Sequence, residues 1–127
     1  MPKVSDRYRG TTDYARVLAE LVRAAEYRGL TTYQDIAVTL GVQIQGEHLA
    51  KDVGHLLGEI SEDEVSRGRP MLSAVVVGSS GRPGKGFFIL ARNLGRLSGL
   101  EVDEEQFWRQ ELQKLYETWR RPLLRVT

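Results

Sequence analysis

Apolar residues recur with helical spacing in three separate stretches of the chain. Ala15, Leu18, Leu21, Val22 and Ala25 predict a first helix that starts at Thr12 or Asp13 and is stopped by Gly29. Thr32, with Asp35 three residues on, opens a short second helix as a near capping box, with Ile36, Ala37 and Leu40 facing inward and Gly41 at its end. Leu49, Val53, Leu56, Leu57 and Ile60 give one apolar face to a third helix, from about Glu47 to Ile60. Ser61 to Glu64 reads as a new cap that starts one or two more turns up to Gly68. The pattern then changes. Met71 to Val77, between Pro70 and Gly78, is short and β-branched and predicts a strand. A turn-rich loop, Gly78 to Gly86, leads to a second short strand at Phe87 to Leu90. Asp103 and Gln106 cap a last helix with Phe107, Leu112, Leu115, Tyr116 and Trp119 on its apolar face, and Pro122 bars its continuation.

The predicted order is helix, helix, helix, hairpin, helix. This is a mainly α fold with a small β-hairpin, a winged helix-turn-helix. At 127 residues the chain is one domain, with a loose N-terminus at 1–10, the folded unit at 11–121 and a tail at 122–127. The absence of cysteine excludes disulfides, thiolate metal sites and cysteine nucleophiles. No membrane span and no signal peptide are expected, which points to a cytoplasmic protein.

The net charge of +1 conceals strong segregation. Residues 29–64 carry Lys51 against seven acids, whereas residues 65–100 carry Arg67, Arg69, Arg82, Lys85, Arg92 and Arg96 with no acid. Such asymmetry speaks of partners. The basic, glycine-rich hairpin tip suits phosphate, and the alternative is a solvated turn. The outward face of the third helix carries Glu47, His48, Lys51, Asp52, His55 and Glu59. His48, Lys51 and His55 are candidates for contact with DNA, yet three acids on this face repel a duplex, and a solvated face is the alternative. The His48, Asp52, His55, Glu59 stripe follows from amphipathicity alone, so no metal and no cofactor are expected. The acidic runs at Glu62 and Asp103 are read as helix starts, and no catalytic constellation is found.

Thr32-Tyr33-Gln34-Asp35-Ile36-Ala37, Ala50-Lys51-Asp52-Val53-Gly54, and Leu72 to Val77 with Ser79-Ser80-Gly81 resemble the DNA-binding domain of the O6-alkylguanine-DNA alkyltransferases and alkyltransferase-like proteins. The resemblance covers roughly residues 30–90. It implies that Tyr33 helps to rotate a target nucleotide, that Lys51 fills the space left in the duplex, and that Gly54 lets its helix pack closely. The family's Pro-Cys-His-Arg motif falls on Leu72, Ser73, Ala74 and Val75, which excludes alkyl transfer.

The leading expectation is a non-enzymatic, DNA-binding winged helix that contacts duplex DNA through its wing. Its candidate residues are Thr32, Tyr33, Gln34, His48, Lys51, His55, Arg67, Arg69, Arg82 and Lys85. One alternative is a protein-interaction module or accessory subunit of a DNA-modifying or defence system, whose acidic helices meet a basic partner. The other is an alkyltransferase-like lesion sensor.

Overall fold

The computed structural model describes residues 4–41, 46–99 and 103–120, and the side chains of residues 46–49 stand outside that description. The predicted tail at 122–127 lies outside the described residues. The elements are α1 (Thr12–Glu26), β1 (Thr31–Thr32), α2 (Tyr33–Thr39), α3 (Gly46–Ser66), a 3-10 helix (Leu72–Val75), β2 (Val76–Val77), α4 (Lys85–Asn93) and α5 (Glu104–Trp119). The mainly helical expectation holds. No helix among the described residues is long and apolar enough to cross a membrane.

The centre of the molecule is the segment Met71–Val77, every residue of which is buried. Helices α1, α3 and α5 pack around its 3-10 turn. They present Val17, Leu21 and Ala25 from α1, Val53, Leu56 and Ile60 from α3, and Trp108 and Leu115 from α5. A segment enclosed on all sides must satisfy its backbone from its neighbours. The Trp108 indole N–H donates to the Ala74 carbonyl at 2.8 Å, and the Met71 N–H donates to Glu111 at 3.0 Å. Trp108 is thereby fixed as a core residue.

The predicted hairpin does not form. Val76 and Val77 pair instead in parallel with Thr31 and Thr32, which makes a two-stranded sheet between distant parts of the chain. Phe87 to Leu90 lies within α4, where Phe87 and Ala91 are buried one turn apart. A four-residue apolar run does not separate strand from helix by periodicity. Ala91, four residues after Phe87, continues the helical period, and Gly95 in the left-handed region (φ 75°) follows its end. Among the described residues there is accordingly no wing.

Two boundaries also differ. Helix α3 runs unbroken through Ser61 to Glu64. These polar residues find tertiary partners rather than capping a new helix: the Ser61 hydroxyl donates to Ser73 Oγ at 2.7 Å and accepts the Ser73 N–H at 3.1 Å. Helix α1 is capped by Thr11, one residue earlier than expected, while Thr32 and Asp103 cap α2 and α5 as expected.

The C-terminal end of α1 is a Schellman-type turn. The Gly29 N–H reaches back to the Ala24 carbonyl at 2.8 Å, and the left-handed position is held by Arg28 (φ 55°), not by glycine. A side chain there costs about 1–2 kcal/mol. Arg28→Gly is therefore expected to stabilise the fold by about 0.5–1 kcal/mol, read as a higher urea midpoint with an unchanged denaturant slope.

Candidate functional site

A cleft of about 290 Å³ opens between α3 and α4. Its α3 side is Gly54, His55, Leu57 and Gly58, and its α4 side is Gly86, Phe87, Ile89, Leu90 and Asn93. Tyr33, the first residue of α2, and Ser73, on the central 3-10 turn, also line it. Val4 closes one side. Its lining is mostly apolar with a few convergent polar groups, which is the make-up of a small-ligand site, and its size sits at the lower edge of the usual range of about 300–1,000 Å³.

The packing explains the opening. A Cβ on Gly84 would sit 3.6 Å from the Tyr33 hydroxyl, an ordinary contact that places the loop before α4 against the phenol. Burial pushes the Tyr33 phenol above its ordinary pKa. Gly54 does not serve close packing: a Cβ there would meet nothing within 4 Å, and its lack of a side chain leaves the cleft open. The nearest equivalent of the expected close approach is Gly58, where a Cβ would meet Val4 at 3.6 Å. Ser73 is buried, with its hydroxyl bonded to Ser61.

The expected site residues divide by what they touch. Thr32 is engaged in capping, its hydroxyl accepting the Asp35 N–H at 3.0 Å, and Gln34 is exposed. The side chain of His48 falls outside the described residues. Lys51 is exposed on α3 one turn before Gly54 and His55. His55 is hydrogen-bonded to the Ser5 carbonyl at 2.8 Å and lies 3.8 Å from Glu59.

The acid-free basic run is neutralised in space. Arg69 forms a two-point pair with Glu64 at 2.5 and 3.1 Å and lies over the Trp119 ring. Arg67 lies 3.8 Å from the same carboxylate. Arg82 pairs with Glu105 at 2.7 Å, Arg92 with Glu104 at 2.9 Å, and Arg96 with the buried Glu111 at 2.6 Å. Arg67, Arg69 and Arg82 are thus bound to acids from outside the run, and the loop that carries Arg82 is no wing. Among the described residues Lys51 and Lys85 make no ion pair, and Lys85 directly precedes Gly86 of the cleft.

The acidic face of α3 is likewise engaged, by the chain's own N-terminal segment. The carboxylate of Glu59 is fully buried and accepts the backbone N–H groups of Arg7 at 2.9 Å, Tyr8 at 3.0 Å and Arg9 at 3.1 Å. Arg9 binds Glu62 at 2.6 Å and Asp63 at 3.0 Å, and Arg7 binds Asp52 at 3.1 Å. The Val4 N–H donates to Glu62 at 3.0 Å. Residues 4–9 therefore form a strap along α3 in place of the expected loose terminus. The Glu62-Asp63-Glu64 run serves this strap and Arg69 near the end of α3, not a helix start. No group of acids and histidines among the described residues is arranged to hold a metal ion.

The cleft residues Val4, Ile89 and Asn93 are not singled out by the sequence, because they reach the site through the strap, expected to be loose, and through α4, whose first residues read as a strand. No protein-family model, curated protein or solved structure matches the chain.

Two outcomes test this arrangement. Replacing Glu59 with Gln removes the buried charge, leaves Oε1 as the acceptor of the Arg7, Tyr8 and Arg9 N–H groups, and turns an amide N–H₂ toward the Tyr8 N–H in place of Oε2. The expected loss is ~1–3 kcal/mol of stability by urea unfolding, as for a buried donor set against the wrong partner. The second concerns pH. Burial and the hydrogen bond to Asp63 raise the Tyr14 pKa well above its ordinary value of 10.0. The folded state holds this proton more tightly than the unfolded one. The resulting stability is complete below about pH 10 and is lost as pH climbs toward the raised value. Tyr14→Phe is expected to flatten that alkaline loss in thermal melts between about pH 10 and 12.

Proposed function

We propose that this protein is a non-enzymatic DNA-binding domain whose α3–α4 cleft accepts a single base turned out of the duplex. The observation that carries this reading is the convergence in one cleft of Tyr33, Gly54 and Ser73, three positions singled out by separate stretches of the sequence, near two lysines that make no ion pair among the described residues. A base extruded from a stack needs an apolar slot, a polar group for its edge and cations for its flanking phosphates. Phe87, Leu57 and Leu90 provide the first, Ser73 and Asn93 the second, and Lys51 and Lys85 the third. Ser73 has Ser61 as its hydrogen-bond partner, so no base activates it as a nucleophile, which supports binding without transfer.

The role expected of a basic wing passes to the two lysines, since Arg82 belongs to an ion pair with Glu105. The case for a basic protein partner on α3 weakens too, because Arg7 and Arg9 already occupy that acidic face.

Fluorescence anisotropy with an intact duplex and with one carrying a single unpaired nucleotide tests the reading. The protein is expected to prefer the second, and Tyr33→Ala to remove the preference. Lys51→Ala with Lys85→Ala should reduce the salt slope by about two, one unit for each phosphate left without its lysine. Arg69→Ala should lower stability and leave the slope alone. Equal binding of both duplexes by the wild-type protein refutes the base-binding cleft.

A further inference from the structure

The strap does more than cover an acidic helix face. Val4, its first described residue, stands beside Gly58, at a point where Leu90 of α4 also comes within 3.9 Å of a Cβ built on that glycine. Val4 and Leu90 thus face the same bare patch of α3 from two sides, and both line the cleft. One residue on, the Ser5 carbonyl is bonded to His55, another lining residue. The backbone of this wall is held at several points: the Val4 N–H by Glu62, and the N–H groups of Arg7, Tyr8 and Arg9 by Glu59. A surface residue that only covered the helix would not need so many anchors, and a wall that sets dimensions does.

We infer that the N-terminal strap is a structural wall of the base-binding cleft, that Val4 sets the size of the group admitted, and that Glu59 and Glu62 are positioning residues which hold Val4 in place. The inference rests on the base-binding reading above and narrows its ligand: a flat heterocycle of one or two rings fits, and larger ring systems are excluded by the Val4 side chain. Gly58 adds no side chain of its own at this point, so the wall there is made by Val4 and Leu90.

The experiment compares duplexes whose single unpaired nucleotide is thymine, adenine or pyrene. The wild-type protein is expected to bind the thymine and adenine duplexes and to treat the pyrene duplex like intact DNA. Val4→Ala should raise pyrene affinity about tenfold relative to adenine, and Val4→Phe should lower adenine affinity about tenfold with thymine less affected, as for adding or removing a few carbons in an apolar pocket. Glu62→Ala, which removes the acceptor of the Val4 N–H and leaves Glu59 in place, should share the Val4→Ala pattern. Amide exchange of Val4 in Glu62→Ala, followed without DNA, should quicken while α5 stays protected. Selectivity unmoved in the Val4 variants, with the preference for an unpaired nucleotide intact, overturns the role of the strap and spares the cleft. Absence of that preference in the wild-type protein itself overturns both.

Discussion

A carboxylate removed from water must be supplied with donors, and in this fold that demand falls on Glu59. Its side chain has no contact with solvent, and three consecutive backbone N–H groups turn toward it. Consecutive N–H groups that point the same way make a concave anion site, so the Glu59 oxygens dictate the path of residues 7–9. The consequences spread from there. The same path brings Arg9 between Glu62 and Asp63, sets the Tyr8 carbonyl to receive the Thr11 hydroxyl at 2.5 Å, and so fixes the start of α1. It also lays Val4 along Gly58. The Arg9 guanidinium is disfavoured by burial, but hydrogen bonds to Asp6, Glu62 and Asp63 outweigh this and hold it firmly charged.

Charge along this chain is written in blocks and cancelled between them. The basic opening segment lies on the acidic third helix, and the basic stretch from Arg82 to Arg96 lies against Glu104, Glu105 and Glu111 of α5. Block segregation in sequence is thus a consequence of which elements pack together. Exposed pairs such as Arg82–Glu105 contribute about 0–1 kcal/mol each, so they orient surfaces more than they hold the core. Arg96 with Glu111 is different. Glu111 is buried and also accepts the Met71 N–H, so this pair ties α5 to the entrance of the central segment.

Much of the helical content is legible in the sequence because it rests on local rules. The Val53, Leu56, Leu57, Ile60 stripe and the caps at Thr32 and Asp103 need only spacing and side-chain chemistry, and they stand in the structure as read. The hairpin expectation fails because Met71–Val77 is buried on every side, and such a run lacks the alternation that marks a strand with one wet face. Ser61 misleads because a serine followed by acids looks like a cap until its actual partner, Ser73, is brought beside it by tertiary packing. Tyr33 and Ser73 can be nominated from sequence, since each sits in a recognisable stretch. Val4 cannot, since its place depends on carboxylates far along the chain, at Glu59 and Glu62.

The two-residue ladder between Thr31–Thr32 and Val76–Val77 has a bearing on how the chain folds. It joins residues 45 positions apart, since parallel pairing needs a long crossover connection between its strands. Closing a loop of that length is entropically unfavourable until the enclosed helices have condensed. Helices α2 and α3 both lie inside that loop, whereas α4 and α5 follow it. The ladder is therefore expected to form late in assembly. Because Val76 and Val77 are themselves the end of the central segment, the ladder latches that segment to the residues just before α2 and closes the loop that holds α2 and α3.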